Sequence, residues 1–375
     1  SSERMDARCE AFDRCGGCSM QHISAERQRE IKSQTLRDNL ERIGRVEPDD
    51  WLQPMTGPLW NYRRRARLAV KDVRAKGRTL VGFRERHAPF IADMRRCEVL
   101  VEPIDGMIAE LSELISGLSI RARLPQIEVA VADDAIALVF RVLDPPSDTD
   151  EVALREFAVR HSLRLYLQTG GLDSIELLHP SGAAEPLYYE LPEFDVRIEF
   201  EPVDFVQINS EINQRMVHFA VEQLRVCADD RVLDLYCGVG NFSLPIARTA
   251  KTVLGVEGDA TLVGRAANNA LSNGISNAEF RVADLGKVDG SESWIKSGWD
   301  KVLLDPARSG AHEVVSRMHL FGPDRIVYVS CHPGTLARDA GTLVHEQGYQ
   351  LESAGIIDMV PHTAHVVSIA IFTKS

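Results

Sequence analysis

Val232-Leu233-Asp234-Leu235-Tyr236-Cys237-Gly238-Val239-Gly240 decides the fold. Its apolar half suits a buried strand. The Gly-x-Gly at 238–240 permits a turn in which backbone can approach a nucleoside closely before a helix begins. Beyond it, strand-like segments recur at 252–257, 279–283, 301–305, 325–330 and 366–372, separated by helix-length stretches. Strands alternating with helices predict an α/β, Rossmann-like fold on a parallel, doubly wound sheet. In such sheets ligands sit at the carboxyl ends of the strands, so the residues there are the candidates for chemistry.

Upstream the rhythm differs. Residues 24–43 have helix-forming composition, with Ile31, Leu36, Leu40 and Ile43 at helical spacing and Gly44 closing the pattern. Between Tyr62 and Phe200, alternating or β-branched segments (Arg67–Val70, Thr79–Phe83, Ile127–Val131, Ala135–Phe140, Val196–Phe200) predict a mixed, largely antiparallel α+β domain, with helices near 103–116 and 150–161. Three regions follow: 1–60, a cysteine-bearing segment with its helix; 61–203, the mixed β domain; and 204–375, the doubly wound domain.

The 375 residues are 44% hydrophobic and 26% charged, ordinary for a globular protein. No apolar run reaches membrane-spanning length, and the polar opening has no signal-peptide core, so a cytoplasmic monomer with no membrane partner is expected. A start on Ser1 leads us to expect a missing upstream segment. The net charge is −12, yet Asn61–Arg86 holds ten Lys/Arg against two Asp/Glu. A basic stretch on an acidic chain is either a nucleic-acid face or a solvated hairpin. On the first reading Arg63, Arg64 and Arg65 meet RNA phosphates, while Phe205 or Tyr62 stacks on an unpaired base. Of seven cysteines, three crowd together as Cys9-x5-Cys15-x2-Cys18 and a fourth, Cys97, lies far downstream. Clustered thiols in a cytosolic chain suggest a metal centre, with iron–sulfur and zinc looking alike.

A lone Gly-x-Gly is weak evidence, and Phe242-Ser243 stand where a dinucleotide fingerprint has its third glycine. Glu257 ends the second strand, where a carboxylate can accept ribose hydroxyls. Asp284 follows the third strand, suited to an adenine amino group. The combination resembles the class I S-adenosylmethionine methyltransferases, a dehydrogenase-like domain being the alternative. Asp305-Pro306-Ala307-Arg308 lacks the second proline and the aromatic with which amine-directed methyltransferases grip an amino group; its carboxylate and arginine suit a uracil edge instead. Cys331 ends the strand Ile326–Ser330. A lone cysteine is commonly a small buried hydrophobe. At this strand end, however, a thiolate can add to carbon 6 of a pyrimidine and make carbon 5 nucleophilic.

Phe205-Val-Gln-Ile-Asn209, Leu233-Asp-Leu-Tyr-Cys-Gly-Val-Gly-Asn241, Leu304–Arg308, Val329-Ser-Cys331, Thr335-Leu-Ala-Arg-Asp339 and Asp358-Met-Val-Pro-His-Thr363 together resemble the RNA 5-methyluridine methyltransferases over nearly the whole chain. The likeness is strongest to the 23S ribosomal RNA (uracil-C5) type, named for uracil 1939. The resemblance implies Cys331 as nucleophile, Gln207, Tyr236, Gly238, Gly240, Asn241, Glu257, Asp284 and Asp305 around S-adenosyl-L-methionine, and Arg308 against RNA. It also implies Cys9, Cys15, Cys18 and Cys97 as ligands of a [4Fe-4S] cluster. Transfer RNA members lack that cysteine set, which points to 23S rRNA as partner. Nothing here corresponds to the small N-terminal β-barrel RNA-binding module (TRAM) that the family often carries.

Two departures stand out. His332 follows the nucleophile where the family usually has Asn. Val367 occupies the position of the family's general base, a Glu two residues after the second histidine of Pro-His-Thr-x-His. Valine cannot accept a proton, so the base is unassigned, with His365 a possible substitute. The alternatives are a catalytically impaired RNA-binding or ribosome-assembly factor of the same fold, a uracil-C5 enzyme acting at another rRNA or tRNA site, and a redox protein using the cluster.

Overall fold

The computed structural model describes residues 4–374; Ser1–Glu3 of the polar opening and the terminal Ser375 lie outside it. The chain starts with α1 (Ala25–Asn39), a π-helical turn to Gly44 and a short strand β1 (Asp50–Trp51). The middle region contains β2 (Arg65–Val73), β3 (Arg78–Gly82), α2 (Ile104–Gly117), β4 (Gln126–Val131), β5 (Ile136–Arg141), α3 (Asp148–Arg160), β6 (Leu163–Gln168) and β7 (Ile175–His179). These strands form one sheet in the order β3-β2-β4-β5-β6-β7, antiparallel except for β5–β6, which α3 connects. Helices α2 and α3 share one core with the sheet (Leu68, Ile108, Ile127, Phe140, Leu154, Phe157), and Cys15, Cys18 and Cys97 are built into its margin.

A hairpin, β8 (Leu187–Leu191) and β9 (Val196–Phe200), leads to α4 (Ser210–Leu224). Its apolar face does not join the middle core. Leu187, Leu191, Ile198 and Phe200 pack in one cluster with Met216, Phe242, Leu244 and Ala270 of the C-terminal part and with Ala130 and Ala137 from the back of the middle sheet. The hairpin is the shared apolar layer between the two sheets.

The C-terminal sheet has eight strands in the order β1-β15-β16-β14-β13-β10-β11-β12. Strands β10 (Arg231–Leu235), β11 (Thr252–Glu257), β12 (Ala278–Val282), β13 (Lys301–Leu304) and β14 (Arg325–Ser330) are parallel, as the sequence predicts. Between them run α5 (Ser243–Ala247), α6 (Ala260–Ser272) and the single-turn helices α7 (His312–Val315) and α8 (Met318–Phe321), with α9 (Pro333–His345) following β14. The expectation of an all-parallel sheet is corrected at the other end. β15 (Tyr349–Ile357), absent from the sequence reading, pairs with β16 (Val367–Lys374), which itself runs antiparallel to β14. The loop 358–366 is too short for the helical crossover that a parallel neighbour requires, so β16 reverses.

α1 is also corrected. Ile43 is exposed and Ile31 only partly covered, whereas Gln28, Lys32, Leu36 and Leu40 form the buried stripe. Lys32 is 1% exposed; its ammonium donates to Asp358 at 2.7 Å and to the Val360 carbonyl at 2.9 Å. A lysine on the inner face breaks the apolar pattern from which helix faces are read. Gly44 is required by contact: a Cβ there would stand 2.5 Å from the Ala337 carbonyl of α9. Removing one partner of a buried ion pair leaves the other uncompensated, typically at about 3–5 kcal/mol. Lys32→Ala should therefore lower unfolding free energy by about that much in denaturant titration, and Lys32→Met with Asp358→Leu should recover most of the loss.

Candidate functional site

Register brings the site together. Leu235 pairs with Val256 and Leu304, and Leu304 with Tyr328, so the residues following β10, β11, β13 and β14 emerge along one edge. On that edge Tyr236 adopts φ 66°, Gly238 φ 53° and Gly240 φ 95°, turning the chain sharply into α5. Non-glycine residues seldom accept the left-handed region, and at Gly240 a Cβ would also press to 3.2 Å from Leu244.

Glu257 faces this turn. Gly238 N–H donates to one carboxylate oxygen at 3.3 Å, and the Gly258 and Asp259 N–H groups donate to the other at 2.6 and 3.2 Å. Its lone pairs are thus oriented along the glycine loop. Asp234 is wholly buried beneath the turn, accepts from the Ser243 hydroxyl, and is pushed up to about 7 by desolvation. Asn241 is less free than the resemblance implies: its carbonyl accepts from Tyr189 at 2.9 Å and from Asn213 at 3.0 Å, and its amide donates back to Asn213 at 3.0 Å. That leaves one amide proton for a ligand. Asp284 lies exposed past the end of β12, held by Lys287 at 2.8 Å and by the Gly286 N–H at 3.1 Å, which keep its carboxyl below the usual range. Gln207 is half-buried in a hollow with Tyr189, Phe200 and Asn213, next to the glycine turn.

Cys331 is half-buried beyond the end of β14, its sulfur 4.0 Å from the Pro306 carbonyl. Desolvation raises its thiol above the ordinary value; Asp305 raises it further, and Arg308 opposes both. Asp305 is itself pushed up to about 7 by desolvation. The guanidinium of Arg308 lies 3.0 Å from Nδ1 of His365, and burial followed by the Arg308 charge depresses that imidazole. A neutral His365 whose Nδ1 accepts from Arg308 carries its proton on Nε2. The β14–β16 ladder pairs Ser330 with Ser368, so continuing it by one residue sets Val367 opposite Cys331. Cys237, within the turn between Tyr236 and Gly238, is a buried thiol.

The basic stretch behaves differently from a free cationic face. Tyr62 is 3% exposed and donates its hydroxyl to the Pro361 carbonyl at 3.0 Å, so it cannot stack on RNA. Arg63 points into the cysteine cavity and donates from Nε to the Arg65 carbonyl at 2.8 Å. Arg64 pairs with Asp133, and Arg65 donates to the Pro202 carbonyl. Part-buried backbone carbonyls and a nearby carboxylate thus occupy these half-buried guanidinium groups. Phe205 is 71% exposed, on the loop that carries Gln207.

Cys9, Cys15, Cys18 and Cys97 line one cavity with Phe12, Phe83 and Met94. Desolvation raises all four thiols, Cys18 to about 11 and Cys97 to about 12. Four such thiolates could coexist only with a compensating cation. Among the described residues no three His, Cys, Asp or Glu stand close enough to hold one ion. No helix among them is long and apolar enough to cross a membrane.

Against known proteins, the family model described as tRNA (Uracil-5-)-methyltransferase matches residues 190–286 and 294–375, starting inside the hairpin. A Xanthomonas campestris protein named 23S rRNA (uracil(1939)-C(5))-methyltransferase RlmD is 49% identical over 374 residues, 100% of this chain and 84% of the relative. One of the same name from Alkalilimnicola ehrlichii is 51% identical, covering 99% of this chain and 83% of the relative. The Pyrococcus abyssi tRNA (uracil-54, C5)-methyltransferase, solved with S-adenosyl-L-homocysteine, superposes with a TM-score of 0.74 at 26% identity, covering 95% of this chain and 86% of that one.

Cys331 should be alkylated by iodoacetamide with a midpoint above the ordinary thiol value of about 8.5, since burial and Asp305 both disfavour the thiolate. Asp305→Asn removes a negative neighbour and should move the midpoint down; Arg308→Met removes the opposing cation and should move it up. Peptide mass spectrometry across pH 6–10 reads both shifts.

Proposed function

The chain belongs to the tRNA (uracil-5-)-methyltransferase family, with the 23S rRNA-modifying RlmD proteins among its relatives, and on that premise we propose that it methylates carbon 5 of a uridine in 23S rRNA, uracil 1939 being the position its relatives are named for. S-adenosyl-L-methionine is the methyl-donating substrate, in keeping with the product-bound structural neighbour. The single observation that carries the reading is the convergence of Cys331, Asp305 and Arg308 at one strand edge beside the glycine turn and Glu257. Glu257 holds the ribose hydroxyls, Asp284 the adenine edge, and Gln207, Tyr236 and the remaining Asn241 amide proton complete the donor's pocket.

Phe205 supplies the exposed ring for stacking, and Arg308 faces the flipped uracil together with Asp305. The Cys331 thiolate adds to carbon 6, and the ring's electron pair moves onto carbon 5 and the carbonyl oxygen. Carbon 5 takes the methyl carbon as the sulfonium bond breaks, releasing S-adenosyl-L-homocysteine. A base then removes the carbon 5 proton, the double bond re-forms, and the Cys331 thiolate leaves. With Val367 opposite Cys331, the nearest candidate base in this loop is His365, which could accept the proton only by giving up the Nδ1 contact with Arg308. The final proton transfer is therefore the slow step.

Cys9, Cys15, Cys18 and Cys97 would hold the [4Fe-4S] cluster. Their shared cavity and thiolate chemistry support this, and the resemblance selects iron over zinc. When bound, the cluster would supply the cationic charge that lets four buried thiolates coexist and would tie residues 9–18 to the middle domain.

General-base help is worth about 10²–10⁴-fold. Enzyme incubated with unmodified 23S rRNA and S-adenosyl-L-methionine should accumulate a covalent protein–RNA band on denaturing gels, and Val367→Glu should disperse it and speed turnover by about 10²-fold or more. Fast multiple turnover without the band would show that His365 already serves as an effective base. Separately, anaerobically purified protein should be brown with about four irons per chain, and Cys97→Ser should abolish the colour; stoichiometric zinc without visible absorbance would defeat the cluster.

A further inference from the structure

The motif Thr335–Asp339 has no role in the chemistry above, yet it lies where the two halves of the uracil site meet. Asp339 is wholly buried on α9. One carboxylate oxygen accepts from the Tyr328 hydroxyl of β14 at 2.7 Å and from the Ala311 N–H at 2.7 Å. The other accepts from Arg338 at 2.8 Å. Arg338 in turn donates to the Ser309 carbonyl at 3.0 Å, and the Thr335 hydroxyl donates to the Arg308 carbonyl at 3.2 Å. Residues 335, 338 and 339 lie on one helix face, and they grip the backbone at 308, 309 and 311. Gly310 completes the fit. Its φ is +77°, and a Cβ would stand 2.6 Å from Arg338 and 2.7 Å from Asp339.

The same helix starts at the nucleophile. His332, the residue after Cys331, caps α9 by accepting from the Thr335 N–H at 3.3 Å. One rigid element therefore carries Cys331 at its start and clamps the Asp305–Arg308 loop along its first turns. We infer that Asp339 is a positioning residue: through Ala311, Tyr328 and Arg338 it fixes the Asp305–Arg308 loop over Cys331, so that the uracil is held at the attack distance of the thiolate. The inference rests on the uracil-C5 reading. A buried carboxylate without nearby donors would be costly, so its three partners make the loop position stiff. A displacement of the order of 1 Å in a positioned group costs about 10²-fold in rate.

The test is single-turnover adduct formation by the full chain with a 23S rRNA transcript containing 5-fluorouridine, whose carbon 5 fluorine no base can remove, so elimination drops out. Asp339→Asn should slow the adduct rate constant by about tenfold or more and Thr335→Val by a few-fold, with S-adenosyl-L-methionine affinity within about twofold of the parent. A merely structural role would lower the amplitude, as fewer molecules fold, and leave the rate constant per active molecule unchanged. That outcome, or unchanged rates in both variants, overturns the inference. If Asp339→Asn does not fold, Thr335→Val and the half-exposed Arg338→Gln carry the test by the same criterion. Absence of any adduct in the parent would instead sink the uracil-C5 reading, and the inference with it.

Discussion

The buried ion pair between Lys32 and Asp358 is the constraint on which the arrangement of the three regions depends. Taking an ammonium and a carboxylate out of water costs several kcal/mol each, recovered only when geometry and further hydrogen bonds are good. Here the ammonium has a second acceptor in the Val360 carbonyl. Around the pair, Gln28 bonds both the backbone N–H and Nδ1 of His362, Trp60 stacks on that imidazole at 4.0 Å, and Tyr62 bonds the Pro361 carbonyl. Ser19 and Met20, next to Cys18, donate their N–H groups to the His362 carbonyl at 2.8 and 2.9 Å. The loop 358–365 is thereby held from the cysteine segment, from α1 and from the middle domain at once.

That loop matters because it ends at His365 and leads into β16. Its reversal of direction puts Val367 beside Cys331, a juxtaposition produced by sheet topology and invisible to spacing, since the two positions are far apart in the chain. The loop also reaches the cysteine segment, since Ser19 bonds the His362 carbonyl through its N–H and accepts from the Ala364 N–H through its hydroxyl.

The parts of the site that sequence discloses are those in which local order and strand ends coincide. The strand–turn of 232–240, Glu257, Asp305 and Cys331 each close a strand of a parallel sheet, and parallel sheets deliver such residues to a common edge. The parts it conceals depend on tertiary partners. Tyr62 and Arg63–Arg65 look like an RNA-facing run, but acceptors contributed by residues 65, 133, 202 and 361 draw them inward. Asn241 fits a ligand contact by motif but is mostly consumed by Asn213 and Tyr189. Ser243 and Tyr328 have no periodic or compositional signature, and the motif Thr335–Asp339 names Arg338 and Asp339 without disclosing which backbone groups they grip.

Sequence alone determined the parallel half of the doubly wound sheet, the strand-end residues and the thiol chemistry they permit, because strand alternation, glycine turns and side-chain reactivity are local properties. The reversed strand pair β15–β16, the layer formed by the β8–β9 hairpin and the buried lysine on α1 were decided by the tertiary structure. Each depends on which distant group supplies the hydrogen bond, counter-charge or apolar face that makes burial affordable, and no local pattern encodes that partner.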